Sequence, residues 1–503
     1  MAQLGKVQEL RRNFTFVGLL GFCCCLVATW EILLTTFAQS LTNGGTAGFL
    51  WAYIIVIIGF TFVYLTTAEL ASMSPTSGGQ YHWVSEFAPP SSQKFLSYIV
   101  GWLCFTGWQG ALCALSFIVG TLIQGLIILN NPNYVYAAWH GTLLAIAVAS
   151  FAIIFNTLLA KKLPLVQALL LVLHVAGILA IIPVLWAMAP IARARDVLFT
   201  FTDAGGWGSS GAATMVGVLS PIVSVGGLDC SVHMSEEVKD ASATIPKAML
   251  MAYAFNAVLG FAMAVTIVFT LGDVEEVLAS ETGYPFMQLF LNTTNSLTAA
   301  NIMTAIVILA LTASAIAEVA TASRQIWSFA RDRGIPGHRW VARVSPTRNI
   351  PLNAVMLSLL VTSLLSLINI GSTVTLLAIF SLVSVSILTS YFIVTAVLVL
   401  RRLRGPSLPT RRFNLGKAGL PINIIALCFL GPFIVLSFFP VTKEVELSTM
   451  NWSIVMSSGI LTIAVVFYFF GGGRQTYVPP VALVHRQDDD KWLGPDGKAH
   501  ERD

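Results

Sequence analysis

About twelve times along this chain an apolar run comes close to the roughly 20 residues that an α-helix needs to cross about 30 Å of hydrocarbon. The runs cover residues 16–38, 48–70, 96–123, 138–159, 163–187, 213–235, 247–271, 300–327, 352–370, 373–400, 420–440 and 452–470, with the break between the ninth and tenth falling at Asn369-Ile370-Gly371-Ser372. Backbone polar groups in a bilayer have to be satisfied inside the protein, and runs of this length do so as helices. Composition agrees: 10% of the residues are charged and 56% hydrophobic, where soluble domains carry roughly 25% charge. An all-α polytopic membrane protein follows, with the lipid bilayer as its surroundings. A net charge of +4 is too small to argue for a nucleic-acid partner. The seven cysteines sit in apolar stretches without CxxC or Cys/His spacing, so neither a disulfide framework nor a metal site is indicated. The opening MAQLGKVQELRRNF is too polar for a cleavable signal peptide, which leaves the first span as the targeting signal.

Lys and Arg in the short loops set the expected orientation. Lys6, Arg11 and Arg12 precede the first span, Lys161 and Lys162 follow the fourth, and Lys239 and Lys247 follow the sixth. Arg324, Arg331, Arg333, Arg339, Arg343 and Arg348 follow the eighth, and Arg401, Arg402, Arg404, Arg411, Arg412 and Lys417 the tenth. With twelve spans all of these fall on one side, which places both termini in the cytoplasm; Arg193 and Arg195 dissent. The sequons at Asn292 and Asn451 fall on the outer side and are candidate glycosylation sites. Asn13-Phe14-Thr15 on the inner side shows how cheap that pattern is.

Two of the spans are interrupted. The sixth lies in GVLSPIVSVGGLDCSVHMSEEVKDASATIPKAM, residues 217–249, and places Gly226, Gly227 and Asp229 near mid-membrane. A glycine there weakens a helix by roughly 1 kcal/mol relative to alanine, and a charge at the bilayer centre costs at least about 2.5 kcal/mol. Non-helical backbone at that depth is tolerated where it lines a polar cavity, so the stretch reads as a binding site. The first span, five earlier, carries Thr29, Trp30 and Glu31 inside its apolar run. Breaks at equivalent places of two five-helix halves point to an inverted-repeat transporter with a midplane site. The halves show no residue-level repeat. Gly226 and Gly227 also suit close helix packing, and Glu31 also suits the outer interface.

The run Gly227-Leu228-Asp229, followed by Ser235-Glu236-Glu237-Val238-Lys239-Asp240-Ala241 and Ile245-Pro246-Lys247-Ala248-Met249, resembles the sixth helix and following loop of amino acid permeases of the amino acid, polyamine and organocation superfamily, in particular the fungal amino acid/choline subfamily. Ala68-Glu69-Leu70-Ala71-Ser72 with Pro75-Thr76-Ser77-Gly78-Gly79-Gln80-Tyr81 and Trp83, and Ser323–Pro336, fit the same pattern. The resemblance implies the five-plus-five inverted-repeat fold shared with sodium-coupled neurotransmitter symporters. Its implied divisions are a cytoplasmic N-terminus (1–15), a first repeat (16–187), a second repeat (188–400), helices eleven and twelve (401–470) and a cytoplasmic tail (471–503) expected to be disordered. It also implies import of a neutral amino acid, a GABA-like amine or a choline-like amine, at the plasma membrane.

The residue types suit such a substrate. Unwound backbone offers N–H groups to a carboxylate and carbonyls to an ammonium. By resemblance the unwound parts lie near Val27, Ala28 and Thr29 and near Val225, Gly226 and Gly227, with Asp229 a candidate for ordering the second. The glycine-rich signature usual in the first helix is missing, which leaves room for a substrate without a carboxylate. Trp30 and Trp108 offer an aromatic wall for a cation, and each equally suits ordinary packing. Thr312 and Ser314 on the eighth span are available for sodium, while His174 in the fifth is suited to proton coupling, because its ordinary pKa lies near physiological pH. The proton is the only cofactor-like species expected, and no metal is. Glu31 and Glu318 are buried ionisable groups for coupling, gating or cation contact. Glu236, Glu237 and Asp332 are expected to pair with nearby arginines as an inner gate, or else to lie in a solvated loop.

Ser77-Gly78-Gly79 and Arg331-Asp332-Arg333-Gly334 lack the GxxxxGK[ST] spacing of a phosphate loop, which argues against a primary pump. No His/Asp/Glu cluster with catalytic spacing appears in the spans, so an enzyme is not expected. A sensor or scaffold on the same fold is the alternative to a transporter, and the short polar ends do not favour it. Oligomeric state is left open.

Overall fold

The computed structural model describes residues 6–371, 375–447, 450–484, 491–493 and 499–501. Among them are twelve helices long and apolar enough to cross a membrane: Phe16–Thr42, Gly45–Met73, Gln93–Asn130, Ala138–Leu158, Ala160–Met188, Ser210–His233, Ala241–Thr270, Leu297–Arg331, Leu352–Ile370, Thr375–Arg404, Gly416–Leu436 and Ser453–Phe470. The third and eighth spans run well past the apolar core at 38 and 35 residues. The ninth closes in a 3-10 turn over Leu367–Ile370, and Ser372 of the sequence-read break lies outside the described residues.

Burial sorts the spans into a core and a lipid-facing shell. The apolar window of the first is 89% buried, against 28% for the fifth and eleventh and 22% for the twelfth. The fifth span turns Leu165, Leu169, Val172 and Leu179 outward, as a helix does when its solvent is hydrocarbon. The third span is the mast, packed against the fourth, eighth and tenth. The first half of span one packs on spans five, seven and eight, and its second half on spans two, six and seven. Spans two and seven also pair, as do four and nine, while spans eleven and twelve brace the tenth. The architecture is that of an all-α membrane bundle.

Between spans two and three the chain doubles back. Gly79 adopts a left-handed backbone (φ 54°), and a Cβ there would meet the His233 ring at 3.2 Å. This turn starts the helix Gln80–Phe87, which is almost wholly buried and packs on spans three and ten. The glycines bend the chain back onto the bundle.

The start of the tail, residues 471–484, departs from the expected disorder. Tyr477 is buried, its hydroxyl 2.6 Å from Ser97 Oγ. The Val478 amide donates to the Asp332 carbonyl and the Val481 amide to Ser85 Oγ. Lys491–Leu493 pairs antiparallel with Ala499–Glu501. An aromatic side chain of this size, placed against Tyr98 and Phe329, holds a segment whose average composition is polar.

Candidate functional site

Span one leaves helical geometry at Ala28, which takes a left-handed conformation (φ 43°, ψ 49°) and separates Phe16–Val27 from Thr29–Thr42. A non-glycine residue in that region is strained by roughly 1–2 kcal/mol. The new helix then opens with first-turn N–H groups that have no intrahelical acceptor. Span six breaks over Gly226–Asp229, between Leu219–Val225 and Cys230–His233. Gly227 has φ 99°, a conformation that a side chain rarely adopts.

The two breaks flank a cavity of about 100 Å3 on which Val27, Trp108, Gly226, Gly227, Ser314 and Glu318 all open. Phe60 of the second span and Phe380, Ser384 and Ile387 of the tenth complete the wall. Above it, toward the base-poor end, lies a wider vestibule of about 400 Å3 lined by uncharged groups including Thr35, Gln39, Thr121, Gln124, Tyr284 and Asn369. Val223 and Phe380 line both spaces and so form the partition between them.

Five sequence-predicted binding residues do not line this cavity. Trp30 lies two residues past the left-handed turn, and its ring packs toward span five against His174 at 5.9 Å. The aromatic wall is therefore Trp108 alone. Ala28 and Thr29 supply the turn. The Val225 carbonyl accepts the Tyr64 hydroxyl at 2.8 Å. Asp229 points away from the cavity, where its carboxylate accepts Gln80 Nε2 at 2.5 Å and the Tyr391 hydroxyl, with His233 Nε2 3.4 Å away. It joins the broken sixth span to the re-entrant helix and the tenth span.

Glu31 is fully buried within the bundle. Its Oε1 lies 2.7 Å from His174 Nδ1, joining the first and fifth spans just beyond the break. Glu31 Oε2 and His174 Nε2 have no hydrogen-bond partner. On the eighth span the Thr312 hydroxyl donates to the Ile308 carbonyl, and Ser314 donates to the Leu26 carbonyl at 2.5 Å. A cation seated between Ser314 and Leu26 needs that bond to open.

The base-rich end is closed. Arg331 grips Glu236 through both terminal guanidinium nitrogens, at 2.5 and 3.0 Å, and Arg324 Nε lies 2.8 Å from Glu237 Oε1. Among the described residues Asp332 pairs with no arginine. It takes Lys6 Nζ at 2.9 Å and the Tyr81 hydroxyl at 2.8 Å. Burial pulls the Lys6 ammonium below its ordinary range, an effect that Asp332 opposes. Burial and the same carboxylate hold the Tyr81 phenol well above its ordinary range, which keeps it a donor. The N-terminal segment is tied in by its backbone as well, with the Phe14 amide on the Glu237 carbonyl and the Lys239 amide on the Phe14 carbonyl.

Asn292 lies in the helix Pro285–Thr294 and donates to Glu276 at 2.9 Å. Asn451 Nδ2 donates to Ser381 Oγ and to the carbonyls of Ser437 and Phe439. Both candidate glycosylation amides are thus engaged within the protein.

The model of the amino acid permease family matches residues 14–465. The chain belongs to that family. The permease is 28% identical to an uncharacterized amino-acid permease of Schizosaccharomyces pombe, covering 97% of this chain and 89% of that one. It is 26% identical to the choline transporter of Saccharomyces cerevisiae (93% and 83% covered) and 26% identical to amino-acid permease 2 of Neurospora crassa (97% and 89%). It is thus an integral, multi-pass membrane permease whose substrate is a small molecule of the amino acid or amine class. Sequence reasoning missed the cavity residues of spans two and ten, because single aromatics and serines on long apolar helices carry no local signal. Lys6 was legible only as one base among several.

Proposed function

We propose that this permease imports an amino acid or related amine, whether neutral, GABA-like or choline-like, by proton symport with alternating access. In this reading the base-rich end faces the cytoplasm and the protein serves the plasma membrane. The observation that carries it is the Glu31–His174 pair, a titratable couple buried one turn beyond the first-span break that borders the central cavity. A proton taken by this pair changes the charge beside the half-helix that opens at Thr29, so loading of proton and substrate are linked through one hinge. The hydroxyls of Thr312 and Ser314 already bond to backbone carbonyls, which favours the proton over sodium. In this reading the closed ion pairs at one end and the vestibule at the other support an outward-facing resting state.

The test is uptake of labelled amino acids, GABA and choline into proteoliposomes, with and without an inward proton gradient. At least one panel member is expected to accumulate only when the gradient is present. Uptake of none of them, under any gradient, would remove the symport reading.

A further inference from the structure

Beside the central cavity the protein buries a second histidine–carboxylate couple. Asp229 and His233 lie one helical turn apart on the inner half of the broken sixth span, and both are fully buried. His233 Nε2 faces Asp229 Oδ2 at 3.4 Å. The other ring nitrogen, Nδ1, lies 2.9 Å from the Ser77 carbonyl. A carbonyl only accepts, so Nδ1 carries a hydrogen. In a neutral imidazole that leaves Nε2 as a lone pair aimed at a carboxylate oxygen, and the two repel unless a proton lies between them. Gln80 and Tyr391 donate to Asp229, but among the described residues no lysine or arginine pairs with it. An ionised Asp229 beside a neutral His233 would bury a net charge without a counter-charge, which is costly. The couple is satisfied when it holds one proton, on either seat.

We propose that Asp229 and His233 share one exchangeable proton and form the station from which the symported proton leaves for the cytoplasm. This deepens the symport reading given above and rests on it. Position argues for release rather than loading. The His233 ring meets the Trp108 ring of the cavity wall edge to face, with centroids 5.4 Å apart. Three residues further on, Glu236 enters the ion pair with Arg331 that helps to close the base-rich end, and Ser77 belongs to the turn that leads into the re-entrant helix. The couple therefore stands between the cavity and the end that has to open inward. The titratable groups that face it from neighbouring elements are Tyr64, Cys104, Glu318 and Tyr391, with Cys230 of its own span and Cys23 beside that. All of these are acids, so none supplies the positive charge that would hold Asp229 ionised. While the ion pairs stay shut the couple is cut off from the cytoplasm and keeps its proton. Once they open, the shared proton passes to water on that side, and the Asp229 carboxylate left behind keeps its bonds from Gln80 and Tyr391. A proton arriving from the cavity side restores the couple, so each cycle moves one proton.

The test uses full-length protein in proteoliposomes of one orientation, with the lumen on the cytoplasmic side and whichever of labelled alanine, GABA and choline the wild type accumulates. Asp229→Asn keeps an acceptor for Tyr391 and offers His233 Nε2 an N–H in place of the shared proton. His233→Asn keeps the donor to Ser77 and removes Nε2, so it supplies a second variant should the first fail to fold. Each should lower gradient-driven accumulation and lumenal acidification by about tenfold or more, and exchange without a gradient by far less. The residual influx should ignore lumenal pH between about 6 and 8 while still responding to external pH. Unchanged acidification per substrate in a folded variant, equal loss of exchange and accumulation, or loss of the external rather than the lumenal pH response would each overturn this inference while leaving symport intact. A wild type that accumulates none of the three under a proton gradient would overturn the symport reading itself.

Discussion

At the residue scale the decisive groups are few and buried. Glu31→Gln keeps a hydrogen bond to His174 but removes the charge, so gradient-driven accumulation should fall by roughly tenfold or more while substrate exchange in the absence of a gradient persists. Equal loss of both activities would mean that the pair is structural. Gly227 holds a φ of 99°, and Gly227→Ala forces a side chain into that region at about 1–2 kcal/mol. The melting temperature in detergent should drop, with substrate affinity falling alongside it, since the residue borders the cavity. Tyr64 bonds the Val225 carbonyl and receives the Leu228 amide, so it splints the break that glycine permits. Tyr64→Phe should therefore cost about 1 kcal/mol, read as a smaller drop in melting temperature than that of Gly227→Ala.

At the scale of elements, the base-rich end behaves as a clasp built from pieces far apart in the chain. Arg324 of span eight, Glu236 and Glu237 below span six, and Lys6 of the N-terminal segment meet there, and the tail reaches in through Tyr477 and Val478. Arg324→Ala leaves Glu237 without its cation, a loss of about 3–5 kcal/mol from the closed form. In a background lacking the other cysteines, Cys104, which is fully buried beside Gln80, should then react faster with a membrane-permeant maleimide. An unchanged rate would show that the clasp does not set the closed state. The interruptions in spans one and six were readable because Thr-Trp-Glu and Gly-Gly-Leu-Asp violate the chemistry of a bilayer core. Which residue faces the cavity was not. Trp30 and Trp108 look alike as letters, and only the left-handed turn at Ala28 sends one ring to span five while the other stays on the wall. Asp332 and Lys6 sit 326 positions apart, beyond any periodicity argument, and Tyr477 is one of only two aromatics, with Trp492, in a polar tail.

For the whole molecule, the third span with its neighbours four, eight and ten forms a packed frame beside two helices that break midway, the first and the sixth. In the proposed transport cycle, motion of the first and sixth spans against this frame opens one end as it closes the other. The central claim is that substrate and proton share the first-span hinge. Simultaneous recording of substrate influx and internal pH in the same proteoliposomes addresses it directly. Wild-type protein should acidify the lumen in step with substrate entry from a symmetric starting pH, and the Glu31→Gln, His174→Gln double variant should carry substrate without acidification. Substrate entry with no internal pH change in the wild type, or acidification that persists in the double variant, would contradict the account.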